Sequence, residues 1–294
     1  MARSEQDWVE AFARSTQLSR RRFSSSGLVA GFTLCTGPLN AATIVTDTNG
    51  LDAAEVKIPT ADVTIPAYRA RPKGKSNLPL VLVVQEVFGI HEHIRDICRR
   101  FANLGYYAIA PSLYARYGDP GKYDMSTAQQ LVKDIVSKVP DREVMSDLDA
   151  AVNFAGKDGA DAKRLGITGF CWGGRIVWLY SAHNPQVKAG VAWYGQLRSP
   201  QPPDARRPKY PLDLVGDMHA PVLGLYGGKD KGISQADVAA MNAALQKAGK
   251  ESKLEIFADA EHGFFADYRP SYNAMDAQQG WRELLAWFRK YGVA

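Results

Sequence analysis

Between residues 165 and 183 the sequence reads LGITGFCWGGRIVWLYSAH, and Cys171 stands where an apolar run gives way to a helical pattern. Gly169 and Gly173 lie two residues to either side of it. A reactive side chain on a tight strand-to-helix turn is held in a strained backbone conformation, and small neighbours leave room for the chain to fold past itself. The N–H groups opening the following helix favour a thiolate over a thiol. His262, in the polar stretch ADAEHGFFAD, and Asp230, in YGGKDKGIS just past another apolar run, can complete such a centre. The order Cys171, Asp230, His262 is nucleophile, acid, histidine: the imidazole takes the thiol proton and the carboxylate fixes its tautomer. Asp217 and Asp259 are rival acids, but the first precedes its strand and the second stands only three residues before the histidine. Glu86, in VLVVQEVFG, adds a carboxylate at the end of a further apolar run, where a solvated loop side chain is the plain alternative.

These groups need elements that carry them to one place. The stretch VKIPTADVTIPAYRARP alternates polar and apolar residues as edge strands do, and LPLVLVVQ is a continuous apolar run suited to a central parallel strand. Further strands are expected at YYAIAP, at the run before Cys171, at VKAGVAWYG, PVLGLYGG and SKLEIFAD. Helical periodicity falls at about 92–104, through STAQQLVKDIVSKV, through DREVMSDLDAAVNFAG with Asp141 as its N-cap, after Cys171, near 234–248, and in the C-terminal DAQQGWRELLAWFRKYG. Repeated β-α units without an internal repeat or a composition break predict an α/β fold. The expected form is one doubly wound, mostly parallel sheet with helices on both faces, occupying residues 55–292 as a single domain. Ligands bind such sheets at the carboxyl ends of the strands, where all four candidates fall. Trp172, Tyr194, Phe264 and Phe265 are then placed to line an apolar pocket for a ring.

Composition excludes several classes. With 294 residues, 46% of them hydrophobic, the chain can bury a large core. Its net charge of +5 is spread over separate basic clusters, SRRRF and PDARRPKY, without an interleaved aromatic stripe, which speaks against nucleic-acid binding. The three cysteines, Cys35, Cys98 and Cys171, form neither a disulfide framework nor a C-x-x-C pair, and the five histidines have no metal-ligand spacing, so no metal and no cofactor is expected. A redox role for Cys171 would need Cys98 to approach it in space. Arg20 and Arg21, in an S-R-R-x-F context ahead of the apolar stretch Gly27–Leu39, resemble a twin-arginine export signal. That stretch is shorter than the roughly 18 residues a membrane span requires. Residues 1–42 are therefore expected to be a leader and flexible tail, the twin-arginine machinery a partner, and the protein periplasmic or secreted with no stable membrane insertion after export.

QEVFG, GYYAIAPSLYAR, GFCWGG, GGKDKGI and AEHGF, in this order, resemble the dienelactone hydrolase family, a cysteine branch of the α/β-hydrolases. The resemblance covers about residues 55–292. It implies a Cys171–His262–Asp230 triad that opens an enol lactone or small activated ester through a thiol-ester acyl-enzyme. It also implies oxyanion amides at Val87 and Trp172, and a Glu86 that touches the resting thiol. The arginine that closely follows the histidine in the family is displaced here to Arg269, after Gly263, Phe264, Phe265, Ala266 and Asp267. Two other readings share the same cleft: a small-ligand-binding protein without catalysis, and an aryl-ester or thioester hydrolase unrelated to dienelactones.

Overall fold

A computed structural model describes residues 44–199 and 202–294. The expected leader, with Arg20, Arg21 and Cys35, lies outside the described residues. Eight strands form one sheet: β1 (Leu51–Pro59), β2 (Thr64–Pro72), β3 (Leu78–Val84), β4 (Tyr107–Pro111), β5 (Ala160–Phe170), β6 (Val187–Trp193), β7 (Val222–Gly227) and β8 (Lys253–Phe257). Their spatial order is β1-β2-β4-β3-β5-β6-β7-β8. The pairs from β4 through β8 are parallel, whereas β1–β2 and β2–β4 are antiparallel. β3, whose run LPLVLVV is buried almost throughout, lies between β4 and β5 because a strand covered on both faces must be apolar on both.

The principal helices are α1 (Glu92–Asn103), α2 (Ala128–Asp134), α3 (Asp141–Lys157), α4 (Trp172–His183), α5 (Gln235–Lys247) and α6 (Ala274–Lys290). In α1, Ile94, Ile97, Cys98 and Phe101 recur at helical spacing and are fully buried, each large side chain contributing roughly 1.5–3 kcal/mol by leaving water. Phe101 reaches α6 through Trp281, with ring centroids 4.8 Å apart, so α1 and α6 share one face of the sheet. α3 and α4 pack on each other and are joined by the buried pair Arg175–Asp141, two parallel hydrogen bonds of 2.7 and 2.6 Å. Asp141 is thus the first helical residue and an ion-pair partner, not the N-cap; Pro140 is the cap. The single helix expected across 126–139 is broken. An Asp124 capping box starts a short 3-10 turn, α2 follows, and Ile135 leaves helical geometry before a second 3-10 turn.

What positions the site is the approach of α4 to the sheet. A Cβ on Gly169 would stand 2.4 Å from the carbonyl oxygen of Gly173, and one on Gly173 would stand 2.5 Å from the carbonyl oxygens of Val84 and Gln85. One on Gly174 would meet the Trp193 oxygen at 2.4 Å. The start of α4 is therefore wedged between the ends of β3 and β6, main chain against main chain, with no side chain able to swing aside. Gly173→Ala is expected to cost about 2 kcal/mol and to lower the melting temperature by roughly 4–8 °C. Gly156→Ala, at a position in α3 where an added Cβ meets nothing, is expected to hold or raise it. Calorimetry of the two variants checks this, and an unchanged midpoint for Gly173→Ala would contradict the wedge.

Candidate active site

Cys171 lies between β5 and α4 with φ 56° and ψ −114°, a region that non-glycine residues avoid. Its own N–H donates to the Trp193 carbonyl at 3.0 Å, and its carbonyl accepts from Gly174 and Arg175, which fastens the turn at both ends. The thiol is free and half-buried at the N-terminus of α4. Trp172, as the first residue of the helix, has no helical acceptor for its N–H, and the N–H of Val87 donates to no described group. Those two amides are the pair expected for an oxyanion.

Asp230 follows β7 in a loop, with its carboxylate buried. One oxygen accepts from the N–H groups of Gly232 and Ile233 at 2.7 and 3.2 Å, which leaves the other for Nδ1 of His262 at 2.8 Å. With Nδ1 committed to Asp230, Nε2 is the nitrogen left for chemistry. Burial opposes a charge on His262, but Cys171 and Asp230 outweigh it and the imidazole is pushed up to about 10. The structure therefore brings Cys171, His262 and Asp230 together. The rival acids are elsewhere: Asp217 pairs with Lys209 at 3.3 Å, and the exposed Asp259 with Lys229 at 2.7 Å.

Glu86 departs from expectation. It is fully buried, and its carboxylate is engaged by three groups rather than by the thiol. Arg269 Nη2 donates to one oxygen at 3.0 Å, the Tyr268 hydroxyl donates to the other, and His91 Nε2 lies 3.3 Å from that second oxygen. Burial alone would raise its pKa, yet Arg269, His91 and His93 hold it well below the usual carboxylate range. Arg269 is thus not displaced from the site. Gly263, at φ 79°, lets the chain turn back, and successive turns at Gly263–Ala266 and Ala266–Arg269 return the guanidinium toward β3. A side chain at 263 would collide with Arg269, a Cβ there lying 2.8 Å from its Cδ. Tyr268 and His91, which sequence reasoning missed, arrive by the same folding-back and by the turn ahead of α1.

Two aromatic expectations need correction. Phe264 is fully buried against Phe257, Trp193 and Tyr194, and Phe265 against Phe170 and Trp193, so both pack the floor under the site and offer substrate no surface. Tyr194, another non-glycine residue at positive φ (39°), sets its ring edge against His262 at 5.1 Å and has a buried hydroxyl with no described partner. Trp172 is half-buried beside Tyr114 at 5.0 Å. Cys98 is sealed in the core, where burial pushes its thiol far up, a setting for an inert structural cysteine rather than a redox partner.

Known proteins of this kind can be set beside this geometry. The family model described as "Dienelactone hydrolase family" matches residues 65–292. A Methylorubrum extorquens protein named "Putative carboxymethylenebutenolidase" is 56% identical over 288 residues, covering 97% of this chain and 98% of its own. An Escherichia coli protein of the same name is 49% identical over 264 residues, covering 90% of this chain and 96% of its own. The crystal structure of a "Putative Dienelactone Hydrolase" from Klebsiella pneumoniae superposes with a TM-score of 0.78 at 53% identity, over 82% of this chain and 99% of that one.

The raised imidazole supplies a test of the Cys171–His262–Asp230 coupling. Folding lifts His262 from 6.5 to about 10, so its stabilising contribution is present below about 6.5 and is lost as the pH rises through about 10. In Cys171→Ala and in Asp230→Asn the His262 resonance, followed by NMR, is expected to titrate below its wild-type midpoint. A midpoint unmoved by both changes would mean that the three groups are not coupled.

Proposed function

The chain belongs to the dienelactone hydrolase family and is a carboxymethylenebutenolidase-like hydrolase acting on esters or lactones, and from this we propose that Cys171 is its nucleophile, with His262 and Asp230 completing the triad. The observation that carries the reading is Cys171 at positive φ on its glycine-framed turn, with the imidazole drawn to it and braced by Asp230. Nε2 of His262 removes the thiol proton, and the thiolate adds to the carbonyl carbon of an enol lactone or small activated ester. The N–H groups of Val87 and Trp172 receive the oxyanion, each such donor contributing about 3–4 kcal/mol in comparable acyl-transfer sites. The carbonyl re-forms as the enolate or aryloxide leaves and takes the proton from the imidazolium. Water, deprotonated by His262, then attacks the thiol ester; the thiolate departs, and the carboxylate product is released.

The same chemistry limits the substrate. A thiolate is itself readily expelled from the tetrahedral intermediate, so the other group must leave at least as easily. Enol lactones and aryl esters meet that condition and amides do not. Glu86 enters this reading as a buried negative charge whose pairing with Arg269 sets the field around the thiol. Tyr194 enters as the ring that backs His262.

Cys171→Ala is expected to abolish hydrolysis of 4-nitrophenyl acetate and of lactone substrates while leaving the circular dichroism spectrum unchanged, and Cys98→Ala to leave the rate close to wild type. Retained hydrolysis in Cys171→Ala would remove the mechanism.

We infer further that the chain is exported by the twin-arginine machinery to the periplasm or beyond, on the support of Arg20 and Arg21 in SRRRF ahead of the apolar stretch Gly27–Leu39. Replacing both arginines by lysine is expected to leave the precursor in the cytoplasm, as judged by cell fractionation. An undiminished periplasmic yield would refute the export reading.

A further inference from the structure

Behind Glu86 lies a second buried charge cluster that the hydrolytic scheme does not use. Asp267 is fully buried, and its carboxylate gathers three donors from distant parts of the chain. They are Nδ1 of His93 at 2.8 Å, Nη2 of Arg100 at 3.1 Å and the backbone N–H of Ile44 at 3.0 Å. Arg100 in turn donates to Asp96 at 2.6 Å, and Nε of Arg99 donates to the Thr46 carbonyl at 2.7 Å. Residues 44–46 are thereby strapped across α1 by their main chain.

Asp267 is followed immediately by Tyr268 and Arg269, the two side chains that hold Glu86. The His93 ring, fixed by Asp267, also packs on Tyr268 at 5.5 Å and on Phe170 of the elbow strand at 6.1 Å. A loop that carries two donors to a buried carboxylate can aim them only if its own main chain is fixed. No strand or helix fixes residues 258–273; beside the turns at Gly263–Ala266 and Ala266–Arg269 and the bonds of Ser271 to the His262 carbonyl and of the Asn273 N–H to the Phe264 carbonyl, Asp267 is the buried carboxylate that ties them to other elements. Burial would raise its pKa, but His93, Arg100 and the Ile44 N–H overcome this and keep it ionised below the usual range.

We propose that Asp267 is a positioning residue of the hydrolase site, which ties the segment 44–46 and helix α1 to the loop that presents Tyr268 and Arg269 to Glu86. This rests on the reading of Cys171 as nucleophile, since the field it controls is the one around that thiol. In this arrangement the main chain of residues 44–46 is a part of the active site at one remove: it supplies a donor that no side-chain change elsewhere replaces. Loss of the Asp267 charge releases the loop, Arg269 and Tyr268 move off Glu86, and the carboxylate returns to the range in which it titrates.

The experiment follows alkylation of Cys171 by iodoacetamide against pH in the full chain. The groups that face Glu86 are Arg269 and Tyr268 from the loop after β8, His91 and His93 from the start of α1, and Tyr194 after β6. Tyr114, beyond β4, and the elbow thiol complete its surroundings. Among these Glu86 is the carboxylic acid, and freed of its cation it is expected to titrate above the ordinary carboxylate range because of its burial. Asp267→Asn is therefore expected to add a transition above that range that wild type lacks. The double variant Asp267→Asn/Glu86→Gln is expected to lose that added transition and to match Glu86→Gln alone. A purely structural Asp267 would lower the melting temperature and leave the alkylation profile superimposable on wild type, and that result would overturn the proposal. An added transition that survives in the double variant would overturn it as well. Should Asp267→Asn fail to fold, Ile44→Pro removes the backbone donor together with the side chain, and Ile44→Ala truncates the side chain while keeping the donor. The transition is expected in the first and not in the second, and its absence from Ile44→Pro counts against the proposal. Because the readout is alkylation, it remains valid even if wild type turned over none of the esters, an outcome that would sink the nucleophile reading alone.

Discussion

Everything at this site depends on one close contact: the main chain opening α4 presses directly on the carbonyls that end β3 and β6. Without a Cβ at 169, 173 or 174 the helix can start within the sheet's own edge, and the residue between strand and helix is forced to positive φ. Cys171 is therefore presented by backbone packing rather than by side-chain contacts, and the same packing brings the ends of β3 and β6 beside it. Val87 follows β3 by three residues, and Tyr194 follows β6 directly, so amide, thiol and the ring behind His262 are located by a single steric event. The strain stored in the cysteine's dihedral angles is supported by the hydrogen bonds that pin the turn from both sides.

Around that rigid centre the electrostatics divide into two layers. The inner one is the thiol, imidazole and carboxylate, aligned so that a proton has one path. The outer one is a set of buried charges, Glu86 with Arg269 and Asp267 with His93 and Arg100, in which every carboxylate meets a cation or a main-chain donor. Buried ion pairs of this kind add little net stability, because desolvation cancels much of the attraction; removing one partner is what costs. Their effect is on geometry, since a buried carboxylate with three directional donors has one orientation.

The sequence carried the inner layer openly and the outer layer hardly at all. Cys171 is marked by glycines two residues away, and Asp230 and His262 each follow an apolar run, so local pattern and chain order suffice to find them. Arg269 stands seven residues past His262, and only the turn at Gly263 and the two turns after it bring it back to Glu86. Nothing in the local string signals such a return. Phe264 and Phe265 read as pocket residues because they sit beside the histidine; the structure turns them into the core, where Trp193 and Phe257 await them. Most strands were legible as apolar runs to within a residue or two, but β1 starts at Leu51 and β5 at Ala160, each five residues ahead of the run that marked it. The break after Asp134 was not, since periodicity continues across Ile135 while its backbone does not.

The strap at residues 44–46 has a consequence for assembly. Its bond to Asp267 closes a loop of 223 residues, among the longest closures the chain makes, and its entropic cost rises only slowly with that length. What length does impose is sequence in time: synthesis proceeds from the amino end, so Ile44 emerges early and its acceptor late. The β1–β2 hairpin and α1 can form while the strap is still unanchored, whereas the charge cluster behind Glu86 closes only once the loop after β8 has been made. Ile44 is thus among the last residues to find its partner.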